Sequence, residues 1–402
     1  MTSSGVVTRV RFIAATTLFS TLIATGVQAQ ETRAGLIEAE QARKAAEAKP
    51  YQPTKFEAVF SRLEESFVSP PSGIYPVVGR IPQGGGFSLG AGYRQFYARR
   101  AVFDVVGMYS IKNYKQIEVG TRTPWHGDGR WTFGVRGGWL DAPQVAYYGQ
   151  GLTDSANRTN FHLTQGYAAV TSEFRPTSWT YLHGEVGYDD YETKRGRGRH
   201  PSIETIHDPA VTPGLFSNLS FIRTEARAAI DWRPGAGYAR RGGFYGVTLA
   251  NYADQDDTFS FQRLDGELIQ HLPILRETWV LSFRGRVQTT LDDADAVPYF
   301  LLPQLGSGRT LRGYETGRFR DRHSLLTSAE FRWIVNRMAL DMAFFYDAGK
   351  VTSRREDLDF EGLKSDWGIG ARFHGPRTTV LRLEAARGSD GWRLVVATNS
   401  AF

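Results

Sequence analysis

A two-residue period runs segment after segment from Tyr75 to Phe402 and limits what this chain can fold into. In 338–348, Leu340, Met342, Phe344 and Tyr346 alternate with Asp341, Ala343, Phe345 and Asp347. In 277–288, Trp279, Leu281, Phe283 and Val287 alternate with Ser282, Arg284, Arg286 and Gln288. In 378–388, Leu381, Leu383 and Ala385 alternate with Arg382, Glu384 and Ala386. The last segment sets Trp392, Leu394, Val396, Thr398, Ser400 and Phe402 on one face. Successive side chains of a strand point to opposite faces, so each segment has one large apolar face and one face with charges of both signs. A soluble sandwich alternates too, but it gives the charged face to bulk water. A transmembrane barrel turns the apolar face to lipid and the charged face to its lumen. The expected fold class is all-β: an antiparallel transmembrane β-barrel, with a short helical segment ahead of it.

Composition narrows the function. The 402 residues include 43 Gly, 25 Phe, 18 Tyr and 9 Trp, as many short strands and turns require. There is no Cys, which excludes a disulfide framework, a thiol nucleophile and a zinc ribbon. Arg9 and Arg11 precede a largely apolar, uncharged run from Phe12 to Val27, and Val27-Gln28-Ala29 supplies small residues for cleavage. Residues 1–29 therefore read as a secretory signal peptide. Residues 30–72 read as a short periplasmic helical segment, rich in Ala, Glu, Lys and Arg as far as Lys49. Thr54-Lys55-Phe56-Glu57 then opens a second helix as a capping box, with Phe56, Val59, Phe60, Leu63 and Phe67 on one face. That helix packs on the rest of the protein, or it lies on a membrane surface or plugs an opening.

Residues 73–402 form the barrel. Strands are expected near 73–81, 84–95, 100–112, 114–123, 130–141, 161–173, 178–191 and 218–232. Eight more follow near 243–254, 258–272, 276–290, 323–334, 338–348, 365–374, 378–388 and 391–402. Sixteen is an even number, as a single-chain barrel with both ends in the periplasm needs. The long connections, 142–160, 192–217 and 291–322, all follow odd strands, which makes that side extracellular. The 233–242 turn is long for the opposite side and leaves a count of fourteen open.

Three motifs are more specific. Leu311-Arg312-Gly313-Tyr314 in the 291–322 loop is similar to a (V/L)RG(F/Y) loop motif, and Phe345-Tyr346-Asp347-Ala348-Gly349 matches an F-x-D-x-G strand motif. Tyr147-Tyr148-Gly149-Gln150-Gly151 is similar to a tyrosine-glycine element. On these residues, roughly 73–402 resembles the outer membrane protein 85 superfamily, also called the bacterial surface antigen family. The resemblance implies that the loop folds back into the barrel and that Arg312 meets an acid on the inner wall. Asp347 is the implied partner, and the alternation independently places it in the lumen. Glu330 and Glu384 share the lumen face and are further acceptors for a guanidinium whose planar fork suits carboxylates. Gly313 is expected to let the backbone turn tightly beside the wall.

The resemblance also implies a seam between the first and last strands that opens laterally. Gly79 and the Gly84-Gly85-Gly86 run would weaken pairing there, although the run also reads as a tight hairpin. Phe402 matches the terminal aromatic by which assembly machinery recognises barrels. Family insertases and translocators carry periplasmic POTRA modules, whereas 30–72 is too short and too helical for one. The chain therefore reads as a barrel-only member.

The expected function is outer-membrane assembly, or transport of protein or lipid across or into the outer membrane. A passive anion-favouring channel lined by Arg284, Arg286, Arg372 and Arg382 is the alternative, as is a structural surface antigen. The expected partners are outer-membrane lipid and lipopolysaccharide, the barrel assembly machinery during biogenesis, and an outer-membrane protein client. Nucleic acid is not expected, despite a formal net charge of +6. Neither catalysis nor a cofactor is expected. His323 and Ser324 are adjacent in a strand and face opposite sides. His126, His162, His183, His200, His207, His271 and His374 lack metal-ligand spacing. The glycine run lacks the Lys and following helix of a phosphate loop.

Overall fold

The computed structural model describes residues 72–402, apart from 99, 153–156, 209–211, 276, 293–296, 336–338, 376 and 399, together with part of 35–43. The described residues of 35–43 are helical and exposed and belong to a separate unit. The signal-peptide segment 1–29 and the capping-box helix near 54–67 lie outside the described residues.

The barrel begins with β1 (Gly73–Arg80), β2 (Phe87–Tyr97), β3 (Ala101–Ser110), β4 (Lys115–Arg122) and β5 (Trp131–Tyr147). It continues with β6 (Thr159–Phe174), β7 (Thr180–Arg195), β8 (Asn218–Asp231), β9 (Gly242–Asp254), β10 (Phe261–Ile274) and β11 (Trp279–Thr290). A two-stranded ribbon, β12 (Gln304–Leu305) and β13 (Phe319–Arg320), lies within the longest loop. Then follow β14 (His323–Ile334), β15 (Leu340–Thr352), β16 (Lys364–His374), β17 (Thr379–Gly388) and β18 (Gly391–Ala397). Apart from the ribbon, all pair antiparallel with their chain neighbours in one sixteen-stranded sheet. The count is sixteen, not fourteen. The sheet curls into a nearly closed barrel, and its end strands β1 and β18 share no backbone ladder.

Burial is inverted relative to a soluble protein. Along β15, Asp341, Phe345 and Asp347 are buried while Met342, Phe344 and Tyr346 are exposed. Along β17, Arg382, Glu384 and Ala386 are buried and Leu383 is exposed. Charges inside an apolar exterior are what a strand needs when lipid covers its outer face.

The strands depart from the sequence reading at several ends: β15 runs on to Thr352 and β2 begins only at Phe87. β5, β6 and β7 extend further at the long-loop end, to Tyr147, from Thr159 and to Arg195. β18 stops at Ala397, so Phe402 does not continue the outward apolar face. Continuing the β17–β18 register, in which Arg382 faces Ala397, would set Ser400 opposite Thr379. Thr379 instead gives its backbone N–H to the carbonyl of Gly237, 3.1 Å away, in the connection between β8 and β9. The glycine run forms the β1–β2 hairpin turn, with Gly84 and Gly86 in the left-handed region (φ 93° and 74°).

Candidate functional site

The loop between β11 and β14 fills the lumen from the long-loop end. Its β12–β13 ribbon pairs Gln304 with Arg320 and Leu305 with Phe319, so residues 306–318 form a closed excursion with Arg312 at the middle. Before the ribbon, Val297, Tyr299, Phe300 and Leu302 pack against Phe161, Tyr191, Phe221, Tyr252 and Phe261 of the inner wall. Tyr299 meets Phe161 edge-on with ring centroids 4.9 Å apart. Aromatic burial of this kind holds one side of the loop without any charge. Sequence reasoning missed it. The available signal was a lapse in the charged face, since the lumen positions near the long-loop ends of β6 to β10 are aromatic rather than ionic.

The other side is held by charge. Arg312 is 1% exposed. Its Nε donates to Asp347 Oδ2 at 2.7 Å and its Nη2 to Asp347 Oδ1 at 2.9 Å, a two-pronged pair. Nη1 reaches Glu330 Oε2 at 3.0 Å and Glu384 Oε1 at 3.3 Å. The guanidinium also lies 3.5 Å from the centroid of the Phe345 ring. Phe345, Asp347 and Gly349 share one face of β15 because they are two residues apart. The Phe supplies a platform under the cation, and the Asp supplies the carboxylate. The Gly leaves room for the loop, because a Cβ there would lie 2.6 Å from the Leu325 carbonyl and 2.9 Å from Leu305 Cδ1.

Gly313 lies in the tight turn the sequence predicts, closed by the Tyr314 N–H on the Leu311 carbonyl at 3.2 Å, but its backbone is outside the left-handed region, so the turn alone does not demand glycine. Glycine is needed for close approach: a Cβ would stand 2.7 Å from both Asp366 Cβ and the Gly388 nitrogen. Tyr314 then locks the excursion to the wall. Its hydroxyl donates to the Ser365 carbonyl at 3.0 Å and accepts from the Ser389 N–H at 3.1 Å, while Leu311 and the Tyr314 ring are buried with Phe319 and Leu326. Arg393 of β18 bonds the Tyr314 carbonyl.

The tyrosine-glycine element clasps the same loop from outside. The Tyr148 hydroxyl donates to Glu315 Oε2 at 2.7 Å, Arg158 pairs with the same oxygen at 2.7 Å, and Gly151 N–H bonds the Arg320 carbonyl at 2.8 Å. Burial works to raise the Glu315 carboxyl, but the Tyr148 bond and the Arg158 charge outweigh it and hold its pKa below the ordinary value.

All four arginines expected to line an anion pore are paired. Arg284 bonds Glu267 at 2.6 Å, Arg286 bonds Asp265, Arg372 bonds Glu330 and Glu384, and Arg382 meets Glu384 Oε2 at 3.2 Å. Among the described residues, no group of three His, Cys, Asp or Glu could hold a metal ion. His323 Nδ1 faces Thr289 Oγ1 at 2.7 Å, not Ser324. Phe402 is partly buried inside the barrel, its ring stacked on His271 with centroids 6.3 Å apart.

A family model described as the Omp85 superfamily domain matches residues 109–388. Among solved structures, the chain is similar to BamA from Haemophilus ducreyi lacking POTRA domains 1–3, with TM-score 0.62 and 13% identity, covering 81% of this chain and 70% of that one. It is also similar to CdiB from Escherichia coli, with TM-score 0.53 and 10% identity over 81% of this chain and 62% of that one. CdiB from Acinetobacter baumannii gives TM-score 0.50 and 10% identity over 81% and 58%. At such identities the likeness is one of fold, and the chain spans about three fifths of the CdiB structures. No curated protein matches.

Proposed function

The chain belongs to the Omp85 superfamily, and from that premise we propose that it serves outer-membrane assembly, or moves protein or lipid into or across that membrane, with the Arg312 loop as its internal gate. A barrel of this family implies the bacterial outer membrane, with the short-turn end periplasmic. In this reading lipopolysaccharide and membrane lipid surround the barrel, the assembly machinery reads Phe402 before it folds inward, and an unfolded outer-membrane protein is the client. The chain itself catalyses no covalent step.

The observation that carries this reading is the unpaired seam. β1 and β18 each present an edge with open N–H and C=O groups, which is what an incoming strand needs in order to add by backbone hydrogen bonds. The gate loop stands directly behind that seam. Arg382 Nη2 donates to the Gly308 carbonyl at 2.6 Å, and a Cβ on Gly308 would lie 2.9 Å from Val395 of β18 and 3.2 Å from the Arg80 guanidinium of β1. A passive anion channel fits less well, because the arginines it would use are neutralised by carboxylates.

The test is insertion of an unfolded outer-membrane barrel into liposomes that hold the reconstituted chain. Acceleration over empty liposomes, and over liposomes holding an unrelated barrel of similar width, is expected. No acceleration, together with a large steady ion conductance, would replace this reading with the channel.

A further inference from the structure

The β8–β9 connection is longer than a hairpin needs, and it does not hang free at the short-turn end. It folds inward and docks on β14 to β17, several strands away around the sheet, so it must cross the lumen. Tyr238 at its tip is 7% exposed. The Tyr238 hydroxyl donates to Asp341 Oδ2 at 2.7 Å, and its ring stacks on His374 with centroids 3.8 Å apart and planes 13° from parallel. His374 in turn lies 3.2 Å from Asp341 Oδ1. The Arg332 guanidinium bonds the Ala239 carbonyl and sits 5.6 Å from the Tyr238 ring. Thr379 bonds the Gly237 carbonyl through both its N–H (3.1 Å) and its hydroxyl (3.3 Å).

A second chord crosses in the opposite sense. After β18, the chain turns inward until Ala401 is buried and Phe402 packs with Tyr181 against Ala229, Phe244 and Ile269 of β8, β9 and β10. Two segments therefore leave opposite arcs of the wall and each docks on the other's side. A free turn in water has no reason to bury a tyrosine or to give its carbonyls to wall residues.

We propose that the β8–β9 turn, with Ala401 and Phe402, is a floor latch: a second closure of the lumen, at the end opposite Arg312, that must release before anything passes along the barrel. It shares no residue with the loop latch. It rests on the barrel alone, so failure of the assembly role would leave it standing.

Two closures in series give a distinctive conductance. The whole chain, in planar bilayers, is compared with Arg312→Ala, Tyr238→Ala and the double variant. Each single variant is expected to stay close to the parent, and the double variant to conduct severalfold more than either. A large steady conductance from Arg312→Ala alone, unchanged by adding Tyr238→Ala, overturns the floor latch. Because the chain has no Cys, Ala239→Cys gives an independent reading, with folding checked by heat-modified gel mobility. Its thiol is expected to resist a polar maleimide in the parent and to react once Tyr238→Ala is added. Ready labelling in the parent background also overturns the proposal.

Discussion

Arg312 sits in a buried network in which four guanidinium groups (Arg312, Arg332, Arg372, Arg382) face three carboxylates (Asp347, Glu330, Glu384). Removing one member of such a network strands its partner in a low-dielectric site, at a cost of about 3–5 kcal/mol. Arg312→Ala and Asp347→Ala are each expected to lose that much in urea unfolding from micelles, and the double variant less than the sum, with coupling of about 1–3 kcal/mol. Simple additivity would mean that the pair does not interact. Asp366 should behave in the opposite way. It is buried directly opposite Asp347 in the β15–β16 register, yet forms no ion pair among the described residues. Two buried carboxyls directly opposite cannot both hold a charge without a destabilising repulsion, which an amide in place of one of them avoids. Asp366→Asn is therefore expected to hold or raise the unfolding midpoint, and Asp347→Asn to lower it; a matching loss in both would show that Asp366 also anchors the loop. The Arg312 partners are legible in the sequence because motif and period converge on one face. The part of Gly313 is not, since a collision with Asp366 and Gly388 depends on strands that lie far apart along the chain.

Strands are legible in number and order because lipid outside and charge inside force a strict period of two, but their ends are not, as β5 running on to Tyr147 shows. The loop is legible only where it carries a motif. Its aromatic side, Tyr299 and Phe300 against Phe161 and Tyr191, arises from contacts between segments over a hundred residues apart, which no local pattern encodes. The end of β18 departs from its alternation for a similar reason, since Thr379 is taken by a turn from across the barrel. The outer clasp of the loop makes its own prediction. The folded Glu315 carboxyl titrates below its ordinary value of 4.5, so its contribution is whole above that pH and is lost as the pH falls through the lower folded value. Limited proteolysis is expected to spare the 291–322 loop near neutrality and to cut it more readily once the pH has fallen well below the ordinary carboxylate value of 4.5. Glu315→Gln should flatten that dependence; an unchanged pH profile in the variant would assign the transition to another carboxylate.

Across the whole molecule, the two latches are joined by a continuous line of contacts on the inner wall of β14 to β17. Arg312 bonds Glu330 at 3.0 Å, Glu330 lies 3.7 Å from Arg332, and Arg332 bonds the Ala239 carbonyl in the floor turn. Contact alone does not prove coupling; a coupled pair must fail additivity. Arg332 meets the Glu330 carboxylate on one side and the Ala239 carbonyl and Tyr238 ring on the other, so releasing either latch should change how firmly it holds the other. In urea unfolding, the Arg312→Ala and Tyr238→Ala losses are expected to miss additivity by about 0.5–2 kcal/mol. In an Arg332→Met background, which keeps a long side chain but no charge, the same cycle is expected to become additive. If the losses already add in the parent, the barrel is closed by two independent bolts, and a client that frees the Arg312 loop would still meet a shut floor. If they are coupled through Arg332, releasing the loop at the seam weakens the floor without opening it, and a client that frees the loop then meets a second closure that yields more easily.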